Sequence, residues 1–457
     1  MSDQTAQPGS TNRPEGISRR GLLRAAGFGA AVVGGGGLLE ACSSSVKGAA
    51  PAVTTTKDIS IAFIHPLTGD IADFGTSDNW ILGKIQATPQ FKNGLKIGGK
   101  TYKVNIASYD TQSDPTRAGQ LASQAILTDK VDLILTSSTP ETVNPVATVA
   151  EKLGTPLICG NVPWQAWYAN LGGNPTPGQS TFKPTWTTVY FLGVNDLCNA
   201  FFPMFDRIQA QLHTDKVIGC MFPNDDDGNA FRGAWPIFAK AAGYTLVDPP
   251  AYTDGLTNYT SFISEFKADN CDFFTNVPLP PDFNTFWKQA EQQGYKPKLA
   301  CVAKVLLFPG DVKALGSLVN NIATDAWWFP GMPWKSSLTG ETCQQIANEY
   351  QTATGSQWVQ SLSNYSLFEV AYAALTSVSD PHDKAEVADA LFKVNIEGLA
   401  GQLNWTSSKN PAPGVVDTPC LGVQWKPSTT WGWSMEVVDN TLMPEVALTA
   451  TLEPTNT

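Results

Sequence analysis

The chain has 457 residues and a formal net charge of −11, with 42% hydrophobic residues that include 14 Trp and 22 Phe. With no Lys/Arg run, that acidic balance argues against nucleic acid and against electrostatic docking to anionic lipid. A folded part of about 400 residues is too long for one core, so two lobes are expected.

The N-terminus carries a targeting pattern. Ser18-Arg19-Arg20-Gly21-Leu22-Leu23-Arg24 is a twin-arginine export motif, and Leu39-Glu40-Ala41-Cys42 closes the segment like a lipoprotein cleavage box. The stretch between them, with four consecutive glycines (Gly34 to Gly37), is too short and too weakly apolar for a membrane-spanning helix. Processing there would make Cys42 the lipidated N-terminus of an extracytoplasmic protein, with the lipid as its whole membrane attachment. The reading is therefore a signal peptide over residues 1–41, then a flexible stalk over 42–56, rich in Ser, Ala, Pro and Thr.

The body alternates strand and helix signals. Ile59–Ile64 is an apolar strand, Tyr102–Ala107 a second, and Arg117–Leu127 has helical spacing. Val131–Leu135 is a strand, Val143–Leu153 a helix and Pro156–Cys159 a strand. After a Gly/Pro/Thr-rich bridge over 172–187 the rhythm restarts. Lys216–Met221 is a strand, Ala230–Ala242 a helix, Tyr244–Val247 a strand and Tyr259–Lys267 a helix. Cys271–Thr275 (strand), Phe283–Gln293 (helix) and Leu299–Val302 (strand) complete the series. Strand, helix, strand at this spacing predicts an α/β chain with parallel sheets and crossover helices. Lobe 1 is expected over 57–187, completed by about 301–410, and lobe 2 over 188–300, completed by the C-terminal segment. Ligands of such sheets sit beyond the carboxyl ends of the strands.

Beyond Cys42 there are seven cysteines, an odd number with no C-x-x-C, so buried thiols with one or two bridges are expected. An exported enzyme is the rival class. His65, His213 and His382 show no metal spacing, and His65 has no evident partner. No G-x-S-x-G occurs. Asp225-Asp226-Asp227 lacks the rest of a calcium loop and reads as a solvated acidic turn. The expectation is a binding protein without catalytic residues, metal or cofactor.

Five segments in order give the chain a resemblance. They are Ile61-Ala62-Phe63-Ile64-His65-Pro66-Leu67-Thr68-Gly69, Ser108-Tyr109-Asp110-Thr111-Gln112-Ser113-Asp114-Pro115 and Thr136-Ser137-Ser138-Thr139-Pro140. Cys220 to Gly228 and Glu397 to Trp405 complete the set. From about Lys57 to beyond Trp425 the chain resembles the solute-binding lipoproteins of ATP-binding-cassette transporters, in the branch of the leucine/isoleucine/valine-binding proteins. The resemblance implies the type I periplasmic binding protein fold: two Rossmann-like lobes with parallel sheets, joined by a three-crossover hinge and closing on a small ligand. It implies an ABC permease as partner; a ligand sensor for a membrane receptor is the alternative.

The resemblance also implies site residues. Ser138, Thr139 and Thr142 lie where the family holds a ligand carboxylate, at a helix start whose free N–H groups favour an anion. Asn161, Val162 and Trp164 fall on the next cleft loop, Phe74 takes the place of an aromatic ring over the ligand, and Asp227 and Leu279 come from lobe 2. Where amino-acid-binding relatives place a carboxylate for the ligand ammonium, this chain has Lys304. A lysine there would repel an ammonium and pair with an anionic or carbonyl group. An apolar or aromatic carboxylate or amide is thus expected, ahead of a branched-chain amino acid. Trp164, Trp167, Tyr168, Trp186, Trp327, Trp328 and Trp334 are further aromatics near predicted loops and hinges.

Overall fold

The computed structural model describes residues 57–176 and 179–455. The export motif, Cys42 and the stalk lie outside the described residues. Among the described residues no helix is long and apolar enough to cross a membrane.

The first lobe starts with β1 (Ile59–His65), a hairpin of β2 (Leu95–Ile97) and β3 (Lys100–Tyr102), and β4 (Val104–Asp110). It continues through β5 (Leu133–Ser137), β6 (Leu157–Gly160) and β7 (Thr187–Tyr190). The second lobe holds β8 (Val217–Met221), β9 (Thr245–Val247), β10 (Phe273–Asn276), β11 (Leu299–Val302) and β12 (Ala323–Ala326). A hairpin of β13 (Asn395–Gly398) and β14 (Gly401–Asn404) precedes β15 (Val415–Val416), β16 (Leu421–Ser428) and β17 (Gly432–Asp439).

One sheet has the order β15-β7-β6-β5-β1-β4 and is parallel throughout. The other, β17-β16-β12-β11-β10-β8-β9, is parallel from β9 to β12 and antiparallel at β16 and β17. The chain passes between the sheets three times, after β7, after β12 and between β15 and β16. It stays in the second sheet through Ala326, later than the return near residue 301 expected above, and β15 then rejoins the first sheet.

Why these residues make these strands is visible in their alternation. Ala62, Ile64 and Ile134 bury on the face covered by helices Pro115–Leu127 and Pro140–Leu153. Ile61, Phe63, Leu133 and Leu135 bury on the other face. With helices on both faces, the central strands read as unbroken apolar runs. Edge strand β4 instead keeps Asn105, Ala107 and Ser108 exposed.

Helix ends are set by local chemistry. Asp114 caps Pro115–Leu127 by accepting from the Arg117 N–H at 2.6 Å, and Gly154, at φ 68°, ends Pro140–Leu153. The long helix Val194–Leu212 and strand β7 were not foreseen from sequence. Among the described residues no bridge forms: the seven cysteines from Cys159 to Cys420 are all buried and free. Each packs as a small hydrophobe in the core, and burial pushes thiols such as Cys301 up.

Candidate functional site

The carboxyl ends of the strands in both sheets converge on a small cavity of about 40 Å³. From the first lobe come Phe74, on the short turn Ala72–Gly75 after β1, Thr139 after β5 and Asn161 after β6. From the second come Asp227 after β8, Val277 after β10, Lys304 after β11 and Asp325 near the end of β12. This is where an open parallel sheet leaves room for a ligand. The space holds a few waters at most. A larger groove of about 640 Å³ opens between helices Trp164–Asn170 and Asp226–Ala242 and runs along their flanks.

One wall of the cavity is aromatic. Phe74 and Trp327 lie nearly parallel with centroids 6.2 Å apart, and Phe191 meets Trp327 edge-on at 5.2 Å. Trp327 is pinned by its backbone N–H to Gln360 Oε1 (2.9 Å) and by its indole N–H to Ser363 Oγ (3.1 Å). Its ring is therefore a fixed surface.

The opposite side is ionic, and here two expectations are corrected. Lys304 is only 7% exposed, in a left-handed backbone conformation (φ 66°). Its ammonium bonds Glu141, Asp227 (3.0 Å) and Asp225 (3.3 Å). An ammonium has three N–H donors, and three carboxylates take them, so Lys304 has none left for a ligand group. The acidic run is likewise no solvated turn. Asp225 caps helix Asp226–Ala242, accepting from the Gly228 N–H at 2.6 Å, and Asp227 is buried.

Charges in this cluster are set against burial. Burial would raise Glu141, but the Lys304 charge overrides it and holds this carboxyl low. Asp227 is pushed up to about 8 by burial, with Glu141 and Asp225 adding to the rise and Lys304 opposing it. Glu141 belongs to the first lobe and the other three to the second, so the cluster ties the lobes together. Asn144 adds a second tie, donating to Asp226 Oδ2 at 2.7 Å.

Of the residues singled out from sequence, Phe74, Thr139, Asn161, Asp227 and Lys304 meet at the cavity. Ser138 and Thr142 are buried behind it, and neither hydroxyl has a hydrogen-bond partner. Val162 is in the first lobe's core. Trp164 packs against Gly193, where an added Cβ would lie 2.3 Å from the indole nitrogen. Leu279 is half-buried at the start of helix Pro280–Gln292. Sequence reasoning missed Asp325, the most informative lining residue. Its signal was a lone carboxylate in the apolar strand Ala323–Ala326, just before Trp327-Trp328.

Asp325 is 3% exposed, its Oδ1 has no hydrogen-bond partner, and among the described residues no cation pairs with it. Burial pushes its carboxyl up to about 7.

His65, expected to lack a partner, has two. Nδ1 lies 2.7 Å from Asp78 Oδ2 and Nε2 lies 2.7 Å from Ser108 Oγ. Asp78 Oδ1 accepts from Asn364 Nδ2 (2.8 Å), and Asn364 Oδ1 accepts from Ser137 (2.7 Å) and Asn161 (2.8 Å). This network fixes Asn161 from behind the cavity and leaves His65 a bracing role between β1 and β4.

Comparison with known proteins agrees with the geometry. The profile of a family described as periplasmic binding protein matches residues 58–428. A leucine binding protein, LivK, from Thermotoga maritima superposes with a TM-score of 0.65 at 17% identity, covering 85% of this chain and 99% of that one. The branched-chain amino acid transporter substrate binding protein LivJ from Streptococcus pneumoniae, in complex with isoleucine, gives 0.63 at 15%, covering 84% and 99%. An extracellular ligand-binding receptor from Rhodopseudomonas palustris gives 0.64 at 16%, covering 83% and 99%.

Proposed function

Because the chain belongs to the periplasmic binding protein family, we propose that it captures a small solute outside the cytoplasm and delivers it to the permease of an ATP-binding-cassette transporter. In this reading the twin-arginine segment exports it, and a lipid on Cys42 holds it at the membrane. The observation that carries the reading is the small cavity at the strand ends, built from both lobes and edged by buried polar atoms without partners. Unpartnered buried polar groups cost about 1–3 kcal/mol each, and a ligand that bonds them recovers that cost.

At about 40 Å³ the cavity is too small for a solute of leucine's size, so entry requires the lobes to part. Parting breaks two polar contacts that cross the cleft, Glu141–Lys304 and Asn144–Asp226. The aromatic wall suits an apolar body. A ligand carboxylate at the start of helix Pro140–Leu153 would meet Glu141, which already stands in that first turn.

A thermal-shift screen of the purified protein against amino acids, amines, carboxylates and amides tests this. A true ligand at a hundred times its Kd adds about 2.7 kcal/mol of stability. No shift with any class, at millimolar concentration, would count against solute capture.

A further inference from the structure

Resting on the solute-capture reading, we propose that the captured solute carries a cationic nitrogen without a paired carboxylate, an amine or alkylammonium, and that Asp325 receives it against the Phe74–Trp327 wall. Three observations converge on this class. Two buried carboxylate oxygens on the lining have no partner, Asp227 Oδ1 and Asp325 Oδ1; the Asp227 carboxylate is paired with Lys304, whereas among the described residues no protein cation answers Asp325. Among the described residues, the one lysine on the lining is Lys304, whose donors are spent on Glu141, Asp225 and Asp227. With three carboxylates against one ammonium, that cluster adds no net positive charge to the cavity, and an entering anion would find no free cation there.

The aromatic wall points the same way. A cation over the face of Trp or Phe is attracted by the ring quadrupole, and more strongly where water is excluded. Phe74, Phe191 and Trp327 lie on the lining that Asp325 shares. An isolated buried carboxylate is costly, and a bound ammonium removes that cost. A neutral donor would satisfy the oxygen's hydrogen bond but leave its charge uncompensated.

The position where an anion would seat is filled from within. Glu141, in the first turn of helix Pro140–Leu153, takes both the helix's positive end and the Lys304 ammonium. A zwitterion would therefore bring its carboxylate toward a fixed negative charge. A plain cation avoids this.

The test is a series sharing one apolar body and differing in its polar end: 3-methylbutylamine, 4-methylpentanoate, 4-methylpentanamide and leucine, with phenethylamine and 3-phenylpropanoate as the aromatic pair. Calorimetric titration at pH 7.5 is expected to give at least tenfold tighter binding of the amines than of their acids or the amide. Asp325→Asn should lower amine affinity at least tenfold and leave the amide within about twofold. Trp327→Leu should weaken the amines more than the amide, and melting curves establish that each variant is folded. Binding of acid, amide or leucine in preference to amine overturns the cation assignment while solute capture stands. If no member binds in any charge state, the assignment falls; if no compound of the wider thermal-shift screen binds either, the capture reading falls with it.

Discussion

At Asp325 and Lys304 the same cavity holds a carboxylate without a counterion and an ammonium with three. Both states follow from where the residues sit, and neither is readable from local sequence. Glu141 reaches Lys304 across 163 positions of chain, so a single lysine on a predicted loop gave no sign that its charge is already met. The sequence expectation marked Lys304 as a departure and assigned its donors to a ligand; the structure gives them to the protein's own carboxylates. Asp325 has a consequence for stability against pH. Its folded carboxyl titrates near 7 because of burial, above the unfolded value of about 3.9. The folded state therefore binds more protons than the unfolded state between those values, and stability falls as pH rises from about 4 to 7. Asp325→Asn removes this contribution. In ligand-free urea melts the variant should match the parent near pH 4 and exceed it by about 1–3 kcal/mol at pH 8. Equal stability of the two proteins at pH 8 would mean that Asp325 has a partner in solution.

Among elements, helix Asp226–Ala242 decides the geometry of the ionic wall. Asp225 caps it, Asp227 points to Lys304 from its first turn, and Gly228 lets the turn approach β8 closely. A Cβ at Gly228 would lie 2.0 Å from the Pro223 carbonyl oxygen. Gly228→Ala should thus displace the helix start and lower stability by about 1–3 kcal/mol. Gly233→Ala on the same helix, where nothing lies within 4 Å of an added Cβ, is the control and should be neutral or slightly stabilising. Chemical denaturation of the two variants separates the cases. Strands with long apolar runs were legible because burial on both faces needs such runs. Helix 226–242 was read four residues short because the acidic run looked like a solvated turn. Strand β7 is only four residues long and emerges from a Pro/Thr-rich bridge. Helix Val194–Leu212 was legible and overlooked: Val194, Leu197, Cys198, Phe201, Phe205 and Ile208 mark one apolar face despite the interior Pro203.

For the whole molecule, the division into two lobes and the three crossovers were legible from the repeated strand–helix rhythm and the five family segments. The position of the second crossover was not, because β12 is a four-residue strand in a region without strong periodicity. The cavity's place at the strand ends was likewise legible, as a property of parallel sheets. Its collapsed volume was not, since that depends on how side chains from both lobes meet. The Glu141–Lys304 and Asn144–Asp226 contacts define the closed arrangement, and solute entry needs a second one in which they are apart. Coupling between ligand and lobe separation is thus the central claim, and one distance measures it. Spin labels on cysteines introduced at exposed Lys130 in the first lobe and Lys267 in the second report the separation directly, since the seven described native cysteines are buried. Without ligand, the distance distribution should contain a longer, open component beside the closed one. Saturating 3-methylbutylamine, or whichever solute raises the melting temperature most, should collapse it to the shorter distance alone. A single distance that stays unchanged on saturation by a stabilising solute would contradict capture by lobe closure.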